Sequence, residues 1–402
     1  MKKNKKWLLL IIPIILLTGC TQNIETNKMD IVHETIADIS LSENSSETTI
    51  SVDTIEKDTS VLEEEPDIYE ELNLVAAGDN LIHSMVIKAG KDGNTYDYNY
   101  MYDNIRDYIK SFDVAILNQE TVLINDESKY SGYPCFGSPT EIGDAVINAG
   151  FDIITQATNH AYDKKEEGIL DSISFWEQNN IPVLGIHKNP NENVFIYENG
   201  HFRIAMLNYT YGLNGFILPL GKEYLVDTLY DKEKIIDDLN YAKNNSDFII
   251  VFPHWGTEYT LTETTEQENW ASFFAENGAD LIIGAHPHVI EPLKIITTSS
   301  GKEVPVYYSL GNFISNQDEV TRMLGALAEV TLVYDNGTVY VKSYKATPIV
   351  THITKGQKSF ETFLLEDYSD DLASTHKLSL SLDKLWSIWN KVFSVEKERT
   401  TE

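Results

Sequence analysis

Cysteine is nearly absent: only Cys20 and Cys135 occur in 402 residues. A chain with so few thiols cannot rest on a disulfide framework, so it must hold itself together by core packing. Its length suffices for one large domain or two ordinary ones. No nucleophile motif surrounds Cys135, which reads as a small apolar residue. Cations are also scarce. The 31 Lys and Arg face 62 Asp and Glu, for a formal charge of −31. Such a balance excludes nucleic-acid binding, which needs a basic surface. It also excludes broad attraction of polyanions, so an anionic substrate would have to be held locally, by metal ions or a few Lys and Arg. No internal repeat is visible.

The start of the chain speaks to compartment. Lys2, Lys3, Lys5 and Lys6 precede an apolar run, Trp7–Leu17, broken only by Pro13. That run is short for a bilayer span and is followed by Leu17-Thr18-Gly19-Cys20, so residues 1–19 read as a signal peptide. The cysteine after Gly19 resembles the lipobox of bacterial lipoproteins. The resemblance implies cleavage before Cys20, lipidation of its thiol, and a protein anchored on the extracytoplasmic face of the cell membrane. A bacterial diacylglyceryl group supplies the two chains that stable anchoring usually needs. Loss of residues 1–19 removes four lysines and leaves a charge of about −35. From Thr21 to about Asp67 the chain is rich in Ser, Thr, Glu, Asp and Asn, with isolated Ile and Val at no period. Residues 20–70 are therefore expected to be the lipidated cysteine and a flexible acidic stalk.

From Leu72 onward short apolar runs alternate with amphipathic stretches, the pattern of an α/β domain, here placed at residues 71–352. Strands are expected at Leu72–Ala77, Val114–Leu117, Ile153–Gln156, Val183–Gly185, Ile204–Tyr209, Phe248–Phe252, Leu281–Gly284 and Val306–Ser309. Helices are expected near Asn104–Ser111, Thr140–Asn148, Glu166–Asn179, Asp231–Asn244 and Glu266–Asn277. Asp335-Asn336-Gly337 signals a hairpin between two further strands. Residues 353–402 read as a peripheral segment with one helix around Leu380–Phe393.

The polar motifs fall at or just beyond predicted strand ends: Gly78-Asp79, Asn118-Gln119-Glu120, Asn159-His160, His254 and His286-Pro287-His288. Ligands of α/β sheets gather at the carboxyl ends of strands. One of these residues alone would be unremarked, since Asp79 could cap a helix and His254 could be a satisfied core histidine. Five strand ends that all carry ligand-type residues point to a shared site. Two carboxylates, an Asn carbonyl and three imidazoles, with no thiolate, suit one or two divalent ions of Mn, Zn or Fe. A bridging carboxylate implies a pair of ions about 3.5–4 Å apart, an arrangement suited to hydrolysis of phosphate esters.

Six ordered motifs carry a family resemblance. Gly78-Asp79-Asn80-Leu81-Ile82-His83, Asn118-Gln119-Glu120, Thr158-Asn159-His160-Ala161-Tyr162-Asp163, His254-Trp255-Gly256-Thr257-Glu258-Tyr259, Gly284-Ala285-His286-Pro287-His288 and Ser309-Leu310-Gly311-Asn312-Phe313 resemble those of the bacterial capsule-synthesis family of CapA type. That family is associated with poly-gamma-glutamate capsules and is similar in fold to calcineurin-like metallophosphoesterases. The resemblance implies a layered α/β/β/α sandwich with Asp79 on a first metal, Glu120 bridging, Asn159, His254 and His286 on a second, and His288 returning to the first. It implies His160 as general acid or transition-state donor, oriented by Asp163. Glu258 would support the ligands, and Asn312 would contact substrate or hold a turn. Two departures stand out. Leu81 occupies the place of the His in the superfamily's Asp-x-His, with His83 a candidate to bend in, and Glu120 replaces an Asp. The expected function is capsule or exopolymer synthesis or export by a membrane-anchored, hydrolase-like protein. One alternative is a non-catalytic accessory subunit partnering a membrane polymer synthase, and another is a hydrolase or transferase of the gamma-linked polymer.

Overall fold

The strand Tyr69–Asn80 organises the molecule, because from Leu74 to Asn80 it has no exposed face. A strand buried on both sides belongs at the centre of a covered sheet. It runs parallel to Val114–Asn118 and antiparallel to Leu324–Asp335. The full order is Phe360–Leu364, Thr338–Ile353, Leu324–Asp335, Tyr69–Asn80, Val114–Asn118, Ile153–Thr155 and Val183–Leu184. Asn312–Ile314 adds a short parallel pairing at the end of Tyr69–Asn80. A second sheet has the order Leu293–Thr297, Glu303–Tyr307, Leu281–Ile283, Phe248–His254, Phe202–Thr210 and Phe195–Asn199. The computed structural model describes residues 67–393 and 399–400, all within the unit Glu64–Glu402. The expected signal peptide, Cys20 and nearly all of the stalk lie outside the described residues.

Side-chain alternation along the second sheet sets the layers. Ile204, Met206, Ile250, Phe252, Leu281, Ile283 and Tyr307 share one core with the first sheet. Their neighbours Ala205, Leu207, Ile249, Val251, Ile282 and Val306 instead meet the helices Lys232–Asn245 and Thr265–Glu276, through Ile235, Leu239, Ala271 and Phe274. The helix Glu141–Ala149 buries Ile142, Ala145, Val146 and Ala149 in the core of the first sheet. The result is the expected helix–sheet–sheet–helix sandwich, with two mixed sheets. No helix among the described residues is long and apolar enough to cross a membrane.

Local chemistry accounts for the element ends. Thr264 and Gln267 form a reciprocal capping box at the start of Thr265–Glu276, and Gly150 ends Glu141–Ala149 in the left-handed region at φ 101°. Asp335 pairs with Thr338 across Asn336 and Gly337, whose φ values of 47° and 95° suit a two-residue hairpin turn. The C-terminal segment needs correction: besides the expected helix, seen as Leu382–Phe393, it adds the strand Phe360–Leu364 to the large sheet. Phe360, Leu385 and Trp389 belong to the main core, so the segment is part of the domain and not peripheral to it.

Candidate metal centre

Both sheets deliver their strand ends to one place. Asp79 lies near the end of Tyr69–Asn80, Glu120 two residues beyond Val114–Asn118, and Asn159 and His160 beyond Ile153–Thr155. From the second sheet, His254 ends Phe248–His254, and His286 and His288 follow Leu281–Ile283. All seven are buried. Two backbone crossings bring the ends together. A side chain on Gly78 would collide with the Gly311 carbonyl, and one on Gly284 with that of Tyr308. Asp79 N–H donates to that same Gly311 oxygen at 2.9 Å. The two histidines of the His-x-His segment hold φ values of 102° and 58°, conformations that cost a non-glycine residue about 1–3 kcal/mol each.

Glu120 sits at the middle of the cluster. One of its oxygens is 3.7 Å from His254 Nε2 and the other 3.7 Å from His288 Nδ1, yet neither has a hydrogen-bond partner. His288 Nδ1 donates to Asp79 Oδ2 at 3.0 Å, and Asn118 Nδ2 donates to Asp79 Oδ1 at 2.8 Å. His254 Nε2 donates to Asn159 Oδ1 at 2.9 Å. The donor atoms of Asp79, Glu120 and His288 lie within 4.8 Å of one another, as do those of Glu120, His254 and His286. Glu120 is common to both groups, as a bridging ligand would be.

Burial pushes the Glu120 carboxyl well above the usual range; the charge of His288 opposes this and that of Asp79 adds to it. Burial holds His254 and His286 well below the ordinary imidazole value, and neighbouring imidazoles reinforce this. Burial also opposes charge on His288, but Glu120 and Asp79 lift it to about 9. His286 Nδ1 is a further buried atom without a partner. Buried ionisable groups left unpaired are costly, and a cation coordinated between them relieves that cost. The donor set therefore fits a divalent metal.

Beside the cluster, a cleft of about 590 Å³ is lined by His160, Asn159, His288, Leu81, Phe136 and Tyr259, among others. His160 Nδ1 faces Asp163 Oδ2 at 2.7 Å, which also accepts from Phe136 N–H at 2.7 Å. The pairing places the ring proton on Nδ1 and leaves Nε2 as the exchangeable position. Tyr133, Pro134, Cys135 and Phe136 form part of the wall, as a rigid rim loop would. Asn312 does not line the cleft. Its amide nitrogen reaches the carbonyls of His288 and Arg322 and Oε1 of Gln317, tying three loop segments together. His83 is in the wall, but its Nδ1 accepts from Asn316 N–H at 3.2 Å, and no metal-capable group among the described residues includes it. Leu81 is buried beside the cluster and offers no donor. Tyr98 and Tyr102 are fully buried packing residues, with Tyr102 stacked on Phe313.

Several neighbours carry no sequence signal. Asn214 reaches Asn159 and His160 from 55 and 54 residues away. Tyr211 packs on the His286 ring at 4.5 Å between centroids. Arg322 lies over Tyr259 at 3.7 Å, a cation–π contact that sets one of the few arginines behind a residue of the cleft wall. Asn118, within a recognisable motif, holds Asp79 and is itself held by Thr155 Oγ1 at 3.1 Å.

Comparison with known proteins supplies a family. The family described as bacterial capsule synthesis protein PGA_cap matches residues 73–317. The capsule biosynthesis protein CapA of Bacillus anthracis is 28% identical over 257 residues, covering 61% of this chain and 60% of the relative. The PGA biosynthesis protein CapA of Bacillus subtilis (strain 168) is 28% identical over 206 residues, covering 50% and 51%. The matches thus span about half to three-fifths of those relatives. Among solved structures, a phosphatase from Mycoplasma pneumoniae covers 70% of this chain and 95% of its own, at 18% identity and TM-score 0.43. The calcineurin-like phosphoesterase YfkN from Bacillus subtilis covers 70% and 91%, at 13% identity and TM-score 0.37. Those two likenesses are too distant to speak to chemistry.

Proposed function

This chain belongs to the family of bacterial capsule synthesis proteins, and we propose that its buried cluster is a divalent-metal centre doing hydrolytic work in capsule polymer synthesis or export. The observation that carries this reading is Glu120: a fully buried carboxylate with two unpartnered oxygens, set between His254 and His288. Asp79, Glu120 and His288 would hold one ion; Glu120, Asn159, His254 and His286 would hold the other. Mn, Zn or Fe suits these donors. Such a pair, when bound, lowers the pKa of a coordinated water and stabilises charge on a phosphoryl oxygen. His160 would donate a proton or hydrogen bond from Nε2 into the cleft, with Asp163 fixing its tautomer. Poly-gamma-glutamate, or an intermediate of its export, is the polymer concerned. The lipobox-like Cys20 supports a membrane-anchored site facing outward.

A second reading is favoured by Leu81: with a ligand position apolar, the cluster would bind without hydrolysing, as part of an accessory subunit of a membrane polymer synthase. Purified chain assayed on a generic phosphodiester with Mn2+, Zn2+ or Fe2+ tests the catalytic reading. Metal-dependent turnover lost in Asp79→Ala and His286→Ala is expected; normal polymer assembly by cells carrying those variants would favour the accessory role instead. Incubation with poly-gamma-glutamate separates off a third possibility, direct action on the polymer, which an unchanged chain length removes.

A further inference from the structure

Leu81 leaves the Asp79 side of the centre one donor short, and a further carboxylate lines the same cleft, close to His286 and His288. The donor atoms of Glu258, His286 and His288 lie within 4.8 Å of one another. Glu258 is exposed and lines the same cleft as His288 and Leu81. Its loop is tied down: Tyr259 N–H donates to Pro287 O at 2.8 Å, and Trp255 N–H to Ala285 O at 3.0 Å. These two bonds join the Trp255–Tyr259 turn to the His-x-His segment on either side of His286. The turn is completed by left-handed Gly256 and Tyr259, at φ 91° and 66°. Glu258 is thus carried by a braced turn against two candidate ligands.

We propose that Glu258 is a direct ligand of the first metal, supplying from the solvent side the donor that Leu81 cannot. The proposal rests on the metal reading above. Joined through His288, the residue common to the two groups, the first set would become Asp79, Glu120, Glu258 and His288, three carboxylates and one imidazole, with His286 of the second set also close to Glu258. The second set, Glu120, Asn159, His254 and His286, is richer in nitrogen. Carboxylate-rich sites suit Mn2+, whereas imidazoles suit Zn2+. The two positions therefore differ in preference, the first selecting Mn2+ and the second Zn2+.

Titration of metal-stripped full chain with Mn2+, followed by the electron-paramagnetic signal of free Mn2+, tests this. The wild type is expected to take up two ions. Glu258→Gln, a change at an exposed position, is expected to keep one and bind the other at least tenfold more weakly, with an unchanged thermal melt of the metal-free protein. Glu258→His keeps a donor in place and is expected to retain both ions while shifting the first towards Zn2+. Wild-type uptake by Glu258→Gln overturns the proposal and leaves the metal centre standing. If Glu258→His loses the ion as Glu258→Gln does, the carboxylate acts only through a neighbour, and the proposal fails. A wild type that binds no ion defeats the underlying metal reading itself.

Discussion

His160 and Asp163 show what a short sequence interval can reveal and what it cannot. Three residues apart, they were recognisable as a pair from the Asn159–Asp163 motif, and their 2.7 Å contact fits the orienting role. The bond from Phe136 N–H to the same carboxylate was not recognisable, because it joins a loop 27 residues away. If the cleft is hydrolytic, His160→Ala should lower turnover by about 10²–10⁴-fold, the usual contribution of a general acid, while leaving metal content unchanged. Asp163→Asn should lower turnover less and leave KM nearly constant, which steady-state kinetics with elemental analysis would resolve. A different histidine is placed to contribute to stability. His187 lies between Asp227 at 2.7 Å and Glu192 at 3.1 Å. Burial opposes its charge, but the Asp227 carboxylate and the hydrogen bonds to both acids lift it to about 9. A pKa raised on folding stabilises the protein fully below the unfolded value near 6.5 and loses that contribution as pH rises through about 9. His187→Gln should therefore lower unfolding stability at pH 6 by on the order of 1–3 kcal/mol, read as a lower Tm, and hardly at all at pH 10. An equal deficit at both pH values would remove the charge-based explanation.

At the scale of elements, the strand-end rule found most of the cluster because each ligand-type residue lies at the end of an apolar run or within a few residues of it. The second sheet's own edges were harder. Phe195–Asn199 and Leu293–Thr297 are partly exposed strands containing Glu198 and Lys294, so their polarity hides them. Asn312–Ile314 is only three residues long and is defined by its pairing with Tyr69–Asn80, a partner more than 200 residues away. That pairing needs glycine at Gly78, where any side chain meets the Gly311 carbonyl. Gly78→Ala should force the two strands apart and displace Asp79. A loss of roughly 1–3 kcal/mol is expected for such overpacking, read by denaturant unfolding, together with weakened metal binding. Unchanged stability would mean that the crossing is looser than the backbone contact indicates.

For the whole molecule, alternation made the α/β class readable and the family resemblance implied the two-sheet sandwich, but the strand order within each sheet was not readable: periodicity gives strands without saying which of them pair. The same limit hid the position of Arg322, which tertiary structure sets over Tyr259 while it pairs with Asp318 at 3.1 Å. The two sheets meet at the cluster, so an ion bound there links them. A ligand that binds only the folded state at a hundred times its Kd stabilises by about 2.7 kcal/mol. Divalent metal should therefore raise Tm by several degrees, and a chelator should reverse the gain. The most direct test is elemental analysis of the purified, dialysed chain beside Glu120→Ala and His254→Ala. Retention of one or two divalent ions per wild-type chain, lost in both folded variants, is the predicted result. A wild type that retains none after equilibration with Mn2+, Zn2+ and Fe2+, or variants that retain as much as the wild type, would contradict the metal centre.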